Sequence, residues 1–208
     1  MSVKITLYRW EGQYGLFKIK VPCGECSLTK DIIQDVITTD LNDIPVELDI
    51  HAWLNEWWKP LLKGAWHAPI VIVAGKVISQ GHALNRGVLT QAVIEAHAKQ
   101  TTLTGNHIFG KANCIHCQHA KQYFEEANIS YAFHDVVKNP RDLYEMLARV
   151  KPIIGAKTPI TVPQIWHDSK YVGGAEELSV FLGRDVEPNP ERGVCSLTAK
   201  GQSYDVDI

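Results

Sequence analysis

The spacing C-x-x-C occurs twice in this chain, at Cys23/Cys26 and at Cys114/Cys117, and both times it falls between a strand pattern and a helix pattern. Before the first pair, Lys4 to Trp10 alternates as a strand does. After it, Leu28, Ile32, Ile33, Val36 and Ile37 recur at helical spacing. Before the second pair, His107 to Gly110 reads as a strand, and Gln118 to Ala127 as a helix. A chain that leaves a sheet and enters a helix at a cysteine pair sets the first sulfur at the helix N-terminus. The second sulfur then sits one turn inside.

The elements that follow each pair come in the same order. In the first half, Gly12 to Gly15 reads as a turn, Phe17 to Val21 as a possible strand and Val46 to Ile50 as a strand. Trp53, Trp57, Leu61 and Leu62 share one helix face, kinked or shortened at Pro60. Their aromatic cluster, Trp53/Trp57/Trp58, is expected in a core or an interface. Ile70 to Val73 and Val77 to Gln80 form a hairpin, and Arg86 to Ala98 closes the half as a helix. In the second half, Ser130 to Asp135 is a strand, and Pro140 to Val150 a helix with its proline in the first turn. Gln164 to His167 and Tyr171 to Val172 make a hairpin, and Glu176 to Leu182 is the last helix. The expected organisation is a domain at 1–98, a polar linker at 99–105, a second domain at 106–184 and an acidic extended tail at 185–208.

Thiol chemistry explains why a cysteine pair belongs at such a junction. The thiolate is the nucleophile, and a free cysteine with a pKa near ~8.5 is mostly protonated at neutral pH. The amide N–H groups and dipole of a helix N-terminus favour the negative sulfur. A second cysteine three residues on can attack the mixed disulfide and release the product. His116, between Cys114 and Cys117, would favour the Cys114 thiolate further when protonated. Glu25, between Cys23 and Cys26, acts the other way. The competing reading is a four-cysteine zinc site. Roughly 90 residues separate the pairs here, whereas such sites usually have about 15 to 20 between their knuckles. No metal ligand is therefore assigned. Cys195 stands apart, and His119, His134 and His167 read as surface or capping residues.

Net charge is -2, so no global basic field invites nucleic acid. No apolar run approaches the roughly 18 residues needed to span a membrane, and the alternating N-terminus does not resemble a signal peptide. The expectation is a cytoplasmic protein without nucleic-acid or membrane partners. In that compartment cysteines are more often catalytic or metal-binding than structural.

Three motifs of the second half occur in a known order: Lys111-Ala-Asn-Cys114-Ile-His-Cys117, Thr161-Val162-Pro163-Gln164-Ile165, and Tyr171-Val172-Gly173-Gly174-Ala175-Glu176-Glu177-Leu178. With them, residues 106–183 resemble a glutaredoxin. The resemblance implies a cis-proline at Pro163 facing the cysteines. It also implies a glutathione site in which Val162, beside Thr161, pairs with the cysteinyl part. Lys111 and the Gly173-Gly174 turn would hold the two carboxylates. The usual C-P-Y-C is C-I-H-C here. Ala175 and Glu176 stand where a polar residue and an aspartate are common, and Lys151 to Ile160 is longer, as in phage-type members. Residues 1–98 resemble a thioredoxin-fold domain more loosely, with Cys23-Gly-Glu-Cys26 in the active-site place and Pro69 in the cis-proline place.

The fold class implied is α/β, two tandem thioredoxin-like domains, each a central mixed β-sheet flanked by helices. The function implied is thiol–disulfide oxidoreduction. Cys114 attacks, Cys117 resolves, and Cys23/Cys26 can relay electrons to them. Glutathione is the expected co-substrate, with no tightly bound cofactor. Partners would be protein disulfides or glutathione mixed disulfides, with ribonucleotide reductase suggested by family analogy. Two other classes stay open: an iron–sulfur or metal-binding module of glutaredoxin type, and a thioredoxin-fold interaction scaffold.

Overall fold

The computed structural model describes residues 2–21, 23–155 and 160–183. The expected acidic tail at 185–208, Cys195 and Pro22 lie outside the described residues. The chain divides into two compact units, Met1–Gln100 and Thr101–Ile208.

The first unit is built on strands β1 (Val3–Arg9), β4 (Val46–Ala52), β5 (Ile70–Val73) and β6 (Lys76–Gln80), ordered β4-β1-β5-β6. β1 runs parallel to β4 and antiparallel to β5, which pairs antiparallel with β6. β5 reads Ile-Val-Ile-Val and is buried at all four positions, as suits an inner strand covered on both faces. Helix α1 (Gly24–Thr39) contributes Ile33 and Val36 to the core, and α4 (Arg86–Gln100) contributes Leu89 and Val93.

Three sequence expectations change here. Gly12 to Gly15 is not one turn: β2 (Gly12–Tyr14) pairs with β3 (Phe17–Ile19), and the bend falls between them. Gly12 takes φ +114°, and a Cβ there would stand 2.6 Å from Asn55 Oδ1, so only glycine lets the strand approach that side chain. The helix expected from Trp53 to Leu62 is split into α2 (Trp53–Glu56) and α3 (Trp58–Leu61). Trp53 packs on the core, while Trp57 and Trp58 are exposed. The stretch expected as a linker is also occupied. α4 continues to Gln100, Arg149 Nη1 donates to Thr101 O at 2.9 Å, and Leu103 packs on the second unit's core.

The second unit repeats the plan with β7 (His107–Gly110), β8 (Ala132–Asp135), β9 (Gln164–His167) and β10 (Lys170–Gly173), ordered β10-β9-β7-β8. β7 is parallel to β8 and antiparallel to β9. Strand alternation sorts its side chains onto two faces. Ile108 and Ile165 join Ala120 and Phe124 of α5 (Ile115–Glu126) and Leu178 of α7 (Ala175–Phe181). Phe109 and Trp166 join Met146 and Val150 of α6 (Pro140–Ile154), together with Cys114 and Cys117. A fully buried side chain of this size contributes about 1.5–3 kcal/mol. Asn139 caps α6 by accepting from Arg141 N–H at 3.1 Å, with Pro140 at the first helical position.

Two histidines expected at the surface are built into this unit. His134 stacks on Phe109, with ring centroids 4.4 Å apart, and its Nε2 lies 3.0 Å from His107 Nδ1. His167 is buried against Phe124.

Candidate active site

The second cysteine pair stands where β7 hands the chain to α5. Cys114 is the N-cap of α5, with extended backbone angles (φ -106°, ψ 122°), and Cys117 lies in the first turn. The connection is short: Cys114 N–H donates to Lys111 O at 3.4 Å. Both sulfurs are inside, each residue at 1% exposure. Gly110 makes this possible, because a Cβ there would lie 2.6 Å from Cys117 Sγ. The strand's last residue must therefore lack a side chain for the helix to pack so close.

The loop before β9 faces this pair. The Val162–Pro163 peptide is cis, and Cys114 Sγ–H points to Val162 O at 3.8 Å. Behind the loop, Gln164 Nε2 donates to Thr161 O at 2.8 Å, and Tyr171 O–H donates to Gln164 Oε1 at 2.5 Å. Burial, then the Glu177 charge, pushes the Tyr171 phenol above its ordinary range, so it remains a donor. Gly174 joins the same place: a Cβ on it would stand 3.9 Å from Pro163 O. The structure thus brings Lys111, Cys114, Val162, Pro163 and Gly174 together. Lys111 is largely buried at 8% exposure, where an ammonium gains most from an anionic partner. His116 is half-buried on the first turn of α5, its ring 6.4 Å from that of His119.

The glycine turn differs from the expectation of open amide donors. Gly174 N–H already donates to Glu177 Oε2 at 2.9 Å. Ala175 faces the apolar core, and Glu176 is exposed. Glu177 is thus the acidic side chain that closes the turn. The spacing of a capping box, an N-cap residue followed three positions later by Glu, was the available signal. Gln164 and Tyr171 lie inside quoted motifs, but only the folded hairpin reveals their bond.

The first pair is arranged by the same rule with different neighbours. Cys23 is the N-cap of α1 (φ -65°, ψ 161°) and is half-buried, while Cys26 is fully buried. Their sulfurs lie 2.8 Å apart, and Trp10 N–H donates to Cys26 Sγ at 3.3 Å. Burial first, then the bond to Cys23, pushes the Cys26 thiol up to about 11. The Ala68–Pro69 peptide is cis and leads into β5. Cys23 and Cys26 are free thiols. Among the described residues no group of three or more His, Cys, Asp or Glu side chains is placed to hold a metal ion.

Each unit is thus a mixed four-stranded sheet flanked by helices, with a cysteine pair at the start of its first long helix. In the second unit, residues 107–172 match the Glutaredoxin family model. A curated relative from Oryza sativa subsp. japonica, named "Putative glutaredoxin-C2", is 34% identical over 84 residues. That match takes in 39% of this chain and 63% of the relative, so the chain spans less than two thirds of the relative's length. Similar solved structures include a wheat glutaredoxin (21% identity, 43% of this chain and 80% of that one, TM-score 0.36). Another is a buckwheat glutaredoxin–glutathione complex (16% identity, 47% and 97%, TM-score 0.35).

Proposed function

We propose that this protein is a thiol–disulfide oxidoreductase whose second unit acts on glutathione mixed disulfides and protein disulfides. The observation that carries the reading is the placement of Cys114. It is the N-cap residue of α5, its sulfur lies 3.8 Å from the Val162 carbonyl oxygen, and Cys117 follows in the first helical turn. The helix terminus favours the thiolate, and His116 adds to that when protonated. The Cys114 thiolate attacks one sulfur of the substrate disulfide, and the other leaves as a thiolate and takes a proton. Cys117 gives up its proton, attacks the Cys114 sulfur and releases the second product as a thiol. Glutathione returns the resulting Cys114–Cys117 disulfide to two thiols. Val162, with Thr161 and Pro163, lines the substrate's cysteinyl part, and buried Lys111 answers a carboxylate. Cys23/Cys26 hands electrons to this pair. The reaction suits a reducing, cytoplasmic setting, and ribonucleotide reductase is a client to assay.

Cys114→Ser should abolish reductase activity, whereas Cys117→Ser should accumulate a glutathione adduct on Cys114. Mass spectrometry after treatment with glutathione disulfide separates the two roles. Equal adducts on both variants would overturn the assignment. The relay adds that Cys23→Ser with Cys26→Ser slows turnover, and unchanged kinetics would remove it.

A further inference from the structure

Along one stretch the first unit sorts its side chains against the usual rule. Between Trp57 and Trp66 the core takes Pro60 and Ala65, while the larger apolar residues stay outside. Trp57 and Trp58 are exposed, Leu62 is 80% exposed and Trp66 62%. Backbone bonds hold them there: Ala65 N–H donates to Pro60 O at 3.0 Å, and Trp66 N–H to Gln80 Oε1 at 3.1 Å. The β2–β3 hairpin joins this surface. Gln13 N–H donates to Asn55 Oδ1 at 2.8 Å, and Tyr14 meets Trp57 edge-on, with ring centroids 6.3 Å apart. At the bend of the hairpin Leu16 is fully exposed, and Phe17 beside it is largely so. Connected apolar exposure of this kind marks an interaction site.

Its charge has one sign. Residues 12–24 and 57–94 contain no Asp or Glu. Lys18 and Lys20 are exposed at the end of the hairpin. Lys63, next to Leu62, is exposed and donates to a neutral acceptor, Gly75 O, at 3.2 Å. Glu11 and Glu56, which immediately precede the two acid-free runs, are paired with Arg9 and with Lys59 and His51 respectively. The whole chain carries a net charge of -2, so this surface is cationic on a mildly acidic protein.

A second copy of the chain would set lysine against lysine. A lipid surface meets both features. Tryptophan and lysine together suit the membrane–water interface, where the indole lies at headgroup level and the ammonium reaches the phosphates. Leu16 and Leu62 stand at turns, where a side chain can enter a soft phase without a shaped counterpart. We propose that this face of the first unit docks on an anionic lipid surface, with Leu16, Leu62 and the exposed tryptophans entering the headgroup layer. Lys18, Lys20 and Lys63 meet the lipid phosphates. Among the described residues no helix is long and apolar enough to cross a membrane, so the contact is peripheral. The expectation of no membrane partner rests on spanning segments and signal peptides, and neither tests a local patch.

The test uses the full chain and vesicles of phosphatidylcholine, either pure or with about a third phosphatidylserine. Wild type should sediment with the anionic vesicles and far less with the neutral ones, and added salt should release it. Its tryptophan emission should shift to the blue and be quenched by brominated acyl chains. Leu16→Ser with Leu62→Ser should weaken partition at least about tenfold. Lys18→Gln, Lys20→Gln and Lys63→Gln should each weaken it about fivefold. All five positions are exposed, and circular dichroism with disulfide reductase activity checks that each variant folds. Absence of wild type from the anionic vesicles, or equal partition of wild type and the leucine variant, would overturn the proposal. Two further outcomes would overturn it by naming another occupant. Self-association without vesicle binding, lost in the leucine variant, assigns the face to a second copy. Binding of a soluble acidic, leucine-rich peptide without vesicle binding assigns it to a protein partner.

Discussion

The two halves of this molecule lay out the same strand order around a cysteine pair, and then treat the nucleophile differently. In the second unit a glycine at the strand end lets helix and sheet close, and Cys114 is buried at 1% exposure. In the first unit β1 ends in Arg9, a hairpin intervenes before the cysteines, and Cys23 stays half open to solvent. The common plan accounts for a sulfur at a helix N-terminus. The residues flanking that plan differ between the units: Lys111 stands where the first unit has Trp10, and Gly110 where it has Arg9.

The largest difference expected from this comparison is in alkylation. Native protein treated with iodoacetamide should label Cys23 at least about tenfold faster than Cys114, since a buried thiol reacts only when its cover opens. Peptide mapping over time reads both sites in one sample. Equal rates would show that the helix terminus dominates and that burial of Cys114 is readily relieved.

Gly110→Ala comes next. Its new Cβ would meet Cys117 Sγ at 2.6 Å, inside a closed core. Overpacking of this kind costs typically 1–3 kcal/mol. Arg9→Ala, at the matching strand end of the first unit, loses only a partly exposed pairing with Glu11 and should cost less than about 1 kcal/mol. Urea unfolding of the two variants makes the contrast, and a harmless Gly110→Ala would deny that close packing buries the second site.

Much of this arrangement was legible in the sequence, because the strand and helix periods change at the cysteines. Both cis-prolines stand where their motifs placed them. What stayed hidden depends on contacts between distant residues. Gly12 reads as a turn glycine until Asn55 is seen against it. Leu103 and Thr101 read as linker until Arg149 and the core claim them. His134 reads as a surface histidine because nothing local says that Phe109 lies flat beneath it. Glu177 is hidden for another reason: a glycine pair opening a helix reads as open donors, and only the folded turn shows a side chain three residues on occupying one of them.

That side chain gives a smaller, sharper prediction. The Glu177 carboxylate accepts from the Gly174 amide, the group that the proposed glutathione site would turn toward a substrate carboxylate. Glu177→Gln should keep a cap on the turn and remove the repulsion, lowering the KM for glutathione about threefold with kcat unchanged, the size expected of one exposed charge. A KM that rises would mean that the charge is needed to shape the turn.

The smallest effect concerns how each unit ties its paired helices. α5 and α7 are joined by apolar packing of Phe124 and Leu178, whereas α1 and α4 are joined by Arg86, which donates to Asp40 at 2.8 and 2.9 Å and also reaches Asp35. The Arg86 guanidinium holds the Asp40 carboxyl below the usual carboxylate range. A group depressed in the folded state stabilises above its unfolded pKa of about 4, and that contribution fades as pH falls through the lower folded value. Asp40→Asn should therefore cost about 0.5 kcal/mol at neutral pH and low salt, as expected of a solvent-screened pair, and less as salt or acid is added. Tryptophan fluorescence reports the first unit selectively, because Trp10, Trp53, Trp57, Trp58 and Trp66 all belong to it and only Trp166 to the second. Unfolding curves of wild type and variant should converge in acid. A gap that stays constant from neutral to acid pH would mean that Asp40 acts through its shape and hydrogen bonds, and that the two units do not differ in electrostatic dependence.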